Sequence, residues 1–202
     1  MPQSGDQPAV PRPAATVILL RRGGKHADRD LEVCLAQRNP GAKFMPGVWV
    51  FPGGAVDEGD GEGEDGYRAC AARELQEEVG IEVAAADLVA YSRWITPKLV
   101  PIRFDTHFYL ALAPPHSPPE PDGSETVDAG WFEPQAALDR HFADREEFKL
   151  VFPTIKHLES LAPFANAEEA LDAARRRDVK AVEPEVVGEG DDRRIVLPED
   201  LP

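Results

Sequence analysis

Arg73-Glu74-Leu75-Gln76-Glu77-Glu78-Val79-Gly80-Ile81 is the stretch that decides how this chain is read. At about 100° per residue on a helix, Glu74, Glu77 and Glu78 fall within one arc of roughly 100°, while Ala72, Leu75 and Val79 fall together on another. The stretch therefore predicts a helix that lays an apolar face on a core and turns an acidic face outward, with Arg73 at the edge of the acidic arc. Gly80 is placed to stop that helix, since a glycine takes up the left-handed conformation in which helices commonly end. Three carboxylates so close repel one another, which raises their pKa values unless a cation is present. Hard oxygen ligands of this kind suit Mg²⁺, Mn²⁺ or Ca²⁺, and Mg²⁺ is usually held by few carboxylates together with substrate phosphates. Arg73 stands four residues before Glu77, close enough to pair with it and fix its rotamer.

An isolated Glu-Glu pair on a helix is ordinarily a solvated surface. The whole pattern, Arg-Glu-apolar-x-Glu-Glu-x-Gly-apolar, is a different matter, because it should arise by chance in about one in 10⁵ chains of this size. It resembles the Nudix box of the Nudix (MutT-like) hydrolases, and the helical half matches at every defined position from Arg73 to Ile81. The resemblance implies the α/β class, a Nudix-type α/β/α sandwich with a mixed β-sheet. It also implies an enzyme that uses Mg²⁺ (or Mn²⁺) to hydrolyse a diphosphate joining a nucleoside to a second moiety. Carried over by position, Glu74, Glu77 and Glu78 are expected to be the metal ligands and, with Arg73, the catalytic set. One of these glutamates, or a carboxylate on a facing loop, would deprotonate the attacking water. A fourth metal ligand from outside the helix is common in the family; Glu125 is chosen here, with Glu120, Asp122 and Asp128 competing.

The loop half of the box is less simple. Six residues after the glycine pair Gly53-Gly54 stands Asp60, but twelve residues then precede Arg73; counting back from Arg73 gives Gly59 and Asp65. The loop reads as lengthened, and Asp60 and Asp65 both stand as its acid.

Substrate groups are read more widely along the chain. Gly53 and Gly54 permit close backbone approach to a phosphate. Arg93, Lys98 and Arg103 flank the strands after the box and could hold phosphates, with surface solvation the equal alternative. Trp94, Trp49 and Phe51 could stack on a base, although such rings are more often core. His107 reads as a structural histidine. Phe51-Pro52-Gly53-Gly54, Trp94-Ile95-Thr96-Pro97, Arg103 to Phe108, Glu125 with Trp131, and Pro153-Thr154 are similar to the acyl-CoA diphosphatase-like branch of the family, over most of residues 14–175. That likeness implies a CoA-type or related nucleotide as substrate. Pro97, sixteen residues after Ile81, matches a spacing associated with ADP-ribose cleavage, which is the runner-up together with nucleoside triphosphates. A non-catalytic nucleotide-binding module of the same fold is the competing class, and the retained Glu74, Glu77 and Glu78 speak against it.

Composition bounds these readings. The chain has 202 residues, 42% of them hydrophobic and 29% charged, which suits a single soluble domain with tails. A net charge of −15 argues against nucleic acid or an anionic membrane as partner, and makes local cations or a metal necessary for any polyanionic substrate. Val17-Ile18-Leu19-Leu20 is strand-sized rather than membrane-spanning, and the proline-rich start lacks the features of a secretory signal. Two cysteines, Cys34 and Cys70, provide no disulfide framework and read as buried thiols in a cytoplasmic protein. Homodimer formation is left open.

The hydrophobic pattern predicts strands at 14–22, 31–38 and 48–51, a flexible acidic loop at 57–66, a helix at 67–79, and strands at 88–96, 103–112 and 125–132. Helices follow from Pro134, over 148–161 and over 168–177, with a further strand near 194–197. Residues 14–178 would form the domain, between a disordered N-terminal tail (1–13) and an acidic C-terminal tail (179–202). Strands on both sides of one central helix, followed by helices, suggest a mixed sheet between helical layers.

Overall fold

The computed structural model describes residues 8–23, 30–188 and 190–198. Its organising strand is β1 (Arg12–Arg21), whose Ala15, Val17 and Leu19 point to one side of the sheet and Ile18 and Leu20 to the other, all of them buried. A strand covered on both faces must be apolar on both, and this is why Ala14 to Leu20 shows no polar alternation. β1 pairs in parallel with β6 (Phe104–Leu112), and along its other edge in antiparallel fashion with β2 (Glu32–Arg38) at Leu20 and Arg21, and with β4 (Gly53–Ala55) at Ala14 to Thr16.

The main sheet runs β3 (Trp49–Val50), β2, β1, β6, β5 (Val89–Ile95), β8 (Ala181–Val182), with β4 also on β1 and β7 (Thr126–Phe132) also on β2. It is mixed, as expected. The long helix α1 (Gly63–Val79) covers one face through Cys70, Ala71, Leu75 and Val79. Helices α2 (Pro134–Ala143), α3 (Phe152–Leu161) and α4 (Ala167–Arg175) supply Leu138, Leu158, Leu161, Ala170 and Leu171 to the core on the other. The result is the expected α/β/α sandwich. Both cysteines are buried and free. No helix among the described residues is long and apolar enough to cross a membrane.

Several boundaries differ from the sequence expectation. The acidic loop is shorter than expected, because α1 already starts at Gly63; Asp57 donates its N–H to the Asp60 carboxylate, and Gly66 lies so close to the Gly61 carbonyl that a Cβ would meet it at 2.5 Å. α3 starts at Phe152 rather than Phe148. The residues before it are committed elsewhere: Trp49 donates its N–H to the Lys149 carbonyl at 2.8 Å, and the Phe148 ring packs on Trp49 and Phe132. The glycine pair, to which the sequence reading assigned no element, begins strand β4. Within the stretch set apart as an acidic tail, β8 adds in parallel to β5, and β9 (Glu185–Val187) pairs with β10 (Arg194–Val196), the latter being the strand expected near 194–197. Arg12 and Pro13, assigned to the N-terminal tail, belong to β1; residues 1–7 lie outside the described residues.

Candidate active site

The carboxylates of α1 and the cleft they serve start on opposite faces of the sheet, and the glycine pair joins them. Gly53 has no room for a side chain, since a Cβ would stand 2.5 Å from the Ala15 carbonyl oxygen. At Gly54 a Cβ would stand 2.5 Å from the carboxyl of Glu74. Because β4 carries no side chains there, Glu74 and Glu78 reach past the sheet edge where β2 and β4 part company. Gly53 donates its N–H to Glu78 Oε2 at 2.9 Å. The expected acidic face of the helix is therefore not wholly outward: Glu77 is exposed, but Glu78 is buried beside Leu75 and Val79. Gly80 ends the helix in the left-handed region, at φ 70°, as expected. A distant segment then satisfies the helix end, with Glu120 N–H on the Val79 carbonyl and the Thr126 hydroxyl on the Glu78 carbonyl at 2.7 Å.

Arg73 organises the acids. Its guanidinium donates Nε and Nη2 to Asp60, both at 2.9 Å, and Nη1 to Glu74 at 2.8 Å and Glu77 at 2.9 Å. The Asp60 side chain is 5% exposed, so of the two loop acids it is Asp60 that the fold brings to Arg73, while Asp65 sits exposed in the first turn of α1. The bond from Arg73 holds the Asp60 carboxyl below its ordinary range. Burial pushes Glu78 up to about 8, with Glu74 adding to the rise and the Gly53 N–H opposing it. Burial also raises Glu74, against the pull of Arg73.

Asp57, Glu74, Glu77, Glu78, Asp122 and Glu125 line one pocket of about 210 Å³ with Arg73. Six carboxyl groups, two of them (Glu74 and Glu78) raised in pKa by burial and crowding, offer the hard oxygen chemistry that a divalent cation would relieve. They share a pocket but not a coordination sphere: among the described residues no three such side chains converge on a common point. Asp122 is occupied in its own turn. Burial alone would raise it, but bonds from Ser124, Thr126 and Glu125 outweigh that and hold its carboxyl well below the usual range. Asp128 is exposed and accepts from the Ala129 N–H. Of the candidates for a fourth acid, Glu125 and Asp122 line the pocket.

Glu74, Glu78 and Glu125 also line a larger cleft of about 360 Å³ on the other side. Its floor follows from strand periodicity. Arg12, Ala14 and Thr16 of β1 lie beside Phe104, Thr106 and Phe108 of β6 on one face, and all six line the cleft. Further along the same face, Ile18, Leu20 and Leu110 are covered by α3 and α4 and become core. The cleft is the uncovered end of a core surface, closed at its margin by Val151, Pro153 and Thr154 at the start of α3.

Residues 10–152 match the NUDIX domain family, a span that contains the glycine pair, all of α1 and Glu125. The chain belongs to that family. A NUDIX hydrolase from Alicyclobacillus acidocaldarius, solved as a crystal structure, superposes with a TM-score of 0.70 at 28% identity, covering 81% of this chain and 96% of that one. Putative nudix hydrolase 7 of Caenorhabditis elegans is 29% identical over 169 residues, 66% of this chain and 55% of that protein. The NAD-capped RNA hydrolase NudC of Pseudomonas aeruginosa is 29% identical over 136 residues, 63% of this chain and 41% of that protein. The chain thus spans about half the length of the curated relatives it matches.

Within this NUDIX domain the substrate-binding residues expected from sequence divide. Gly53 and Gly54 line the cleft. Arg93 does not reach it; its guanidinium is paired with Asp105 at 2.6 and 2.8 Å. Arg103 is 6% exposed and holds Glu183, the Thr96 carbonyl and the Ala9 carbonyl. Lys98 lies 3.9 Å from Glu183. Trp94 packs in the core against Phe152 and His157, and Trp49 against Phe132 and Phe148. Phe51 is buried at the cleft floor. His107 stacks on Tyr67 at 3.8 Å, away from the cleft. The sequence reading missed Arg12, Arg38, Phe44, Phe104 and Thr106. The β1–β6 register would have found three of them, but parallel pairing between strands about ninety residues apart leaves no local signal.

Proposed function

We propose that this chain is a divalent-metal-dependent hydrolase of a diphosphate bond in a nucleoside diphosphate joined to a second moiety. The supporting observation is the glycine gap: Glu74 and Glu78 pass through it to line, with Glu125, a cleft that also carries Arg12 and Arg38, and Arg38 lies near enough to Glu78 to oppose the rise of its carboxyl. Such a cleft suits a ligand whose negative groups lie between guanidinium groups and an acid-bound cation. Of the pocket carboxylates, Glu74, Glu77, Glu78 and Glu125 would hold Mg²⁺ or Mn²⁺ after rotating from the rotamers seen, in which no three converge; the ion when bound neutralises phosphate charge and lowers the pKa of a water.

The remaining work falls to the chain. Arg73 orients Glu74 and Glu77, the Gly53 N–H orients Glu78, and Arg12 and Arg38 receive phosphate oxygens. A water oxygen attacks phosphorus, the bridging phosphorus–oxygen bond breaks, the leaving phosphate keeps the electron pair, and a carboxylate of the acidic set takes the proton of the water. CoA-type nucleotides remain the finer substrate expectation. NudC, named for NAD-capped RNA, is a relative whose named target contains a dinucleotide diphosphate. The test is a panel of CoA, ADP-ribose, dinucleotides and nucleoside triphosphates with Mg²⁺ or Mn²⁺, read by product mass. Cleavage of at least one diphosphate, abolished by chelator, supports the proposal. No turnover on any member overturns it in favour of the binding module.

A further inference from the structure

Phe44 and Phe104, from unrelated parts of the chain, pack against each other in the wall of the cleft. Phe104 stands beside Arg12 in the β1–β6 register, and Phe44 comes from the 39–47 turn; their ring centroids are 6.0 Å apart and their planes tilt by 56°. The turn that carries Phe44 is held in an uncommon backbone state. Met45 has φ 49°, in the left-handed region that a residue with a Cβ seldom adopts, and its side chain is exposed. Arg38 lines the same cleft with its Nε 3.4 Å from the Phe44 carbonyl, and the Arg12 guanidinium lies 5.9 Å from the centre of the Phe104 ring.

Neither Arg12 nor Arg38 makes an ion pair within 4 Å among the described residues, although Asp and Glu outnumber Lys and Arg by 37 to 22; Arg38 acts on Glu78 only at longer range. By contrast Arg21, Arg22, Arg68, Arg73, Arg93 and Arg103 each hold a carboxylate. Two unpaired guanidinium groups, two non-parallel phenyl rings and an acidic set thus share one cavity. At about 360 Å³ it lies near the small end of ligand sites, enough for one ring system and its phosphates.

We propose that Phe44 and Phe104 form the base site of this domain, where the heteroaromatic base of a nucleoside phosphate stacks while Arg12 and Arg38 take its phosphate. Recognition rests on ring faces, which every base presents, so it is tolerant of base identity; the second moiety of the substrate projects from the cleft at the Glu125 end. This deepens the reading of the cleft as a nucleotide diphosphate site and rests on it. It moves the aromatic platform from Trp49, Phe51 and Trp94, all three buried, to two phenylalanines that sequence periodicity did not mark.

AMP and ribose 5-phosphate differ only by the base, so calorimetric titration of the full chain with each isolates it. The expected result is an affinity for AMP at least tenfold above that for ribose 5-phosphate. Phe44→Leu, which keeps an apolar side chain on an exposed turn but removes the ring face, should weaken AMP by roughly fivefold or more and leave ribose 5-phosphate and the melting temperature unchanged. Arg12→Gln should weaken both ligands alike. Equal affinity for the two ligands, or unchanged AMP binding by Phe44→Leu, would overturn the base site. A chain that binds AMP in this way but cleaves no diphosphate with Mg²⁺ or Mn²⁺ supports the base site and sinks the proposed hydrolysis, so the two failures are distinguishable.

Discussion

Gly53 donates its backbone N–H to the buried carboxylate of Glu78 at 2.9 Å, across 25 residues of sequence. This bond ties the glycine pair to the acidic helix and fixes the carboxylate that would otherwise have the least reason to be charged. Glu78→Gln keeps an acceptor for the Gly53 N–H and removes the charge. Metal-dependent turnover is expected to fall by about 10²–10⁴-fold, with melting at neutral pH unchanged or higher, because a carboxyl that burial raises to about 8 costs stability above its ordinary range and the amide does not. Near wild-type turnover would remove Glu78 from the chemistry.

Gly54→Ala separates geometry from stability. Its Cβ would meet the Glu74 carboxyl at 2.5 Å, and a flexible carboxylate end can move aside where backbone could not. Activity should therefore fall by tenfold or more, on the order of the loss seen when a catalytic ligand is misoriented, while the melting temperature changes little. Equal losses in both would mean that β4 itself had shifted.

The fork of Arg73 on Asp60 should be measurable as a coupling. A double-mutant cycle with Arg73→Met and Asp60→Asn is expected to give an interaction of about 0.5–3 kcal/mol in urea unfolding, the range for residues sharing one hydrogen-bond and ion-pair network. Asp65→Asn paired with Arg73→Met should give none. A coupling at Asp65 rather than Asp60 would reassign the loop acid.

Glu183 lies in the stretch that composition marks as tail, yet it bonds the buried Arg103 at 2.6 Å. Glu183→Gln should destabilise the domain by about 2 kcal/mol, read as a lower denaturation midpoint with an unchanged slope. No change would mean that residues near 183 do not contribute to the folded unit.

His157 is buried against Phe51, Tyr91, Trp94 and Phe108, with Nε2 2.6 Å from the Ser92 hydroxyl, and burial lowers its pKa to about 3. The folded imidazole stays neutral while the unfolded one protonates near its ordinary value of 6.5. The unfolded state therefore binds more protons below that pH. This contribution is full above pH 6.5 and is lost as pH falls from 6.5 toward 3, by about 2 kcal/mol between pH 7 and pH 5. NMR titration should find the His157 ring neutral at pH 5; a midpoint near 6.5 would contradict the burial argument.

The sequence by itself determined the acidic helix, its Gly80 stop, the pairing of Arg73 with Glu77, the strands about it and the mixed α/β/α plan. Each of these depends on interactions within about four residues, or on burial patterns that repeat along one element. It also supplied the glycine pair without its purpose. Only the tertiary structure decided that Gly53 and Gly54 open the sheet edge to Glu74 and Glu78, that Asp60 rather than Asp65 meets Arg73, and that Arg93, Arg103 and Trp94 pair or pack away from the cleft. The cleft itself belongs to the same class of facts. Arg12 and Phe104 are neighbours because β1 and β6 run side by side, and a charge or ring becomes a binding group or a brace according to the partner that a distant strand brings to it.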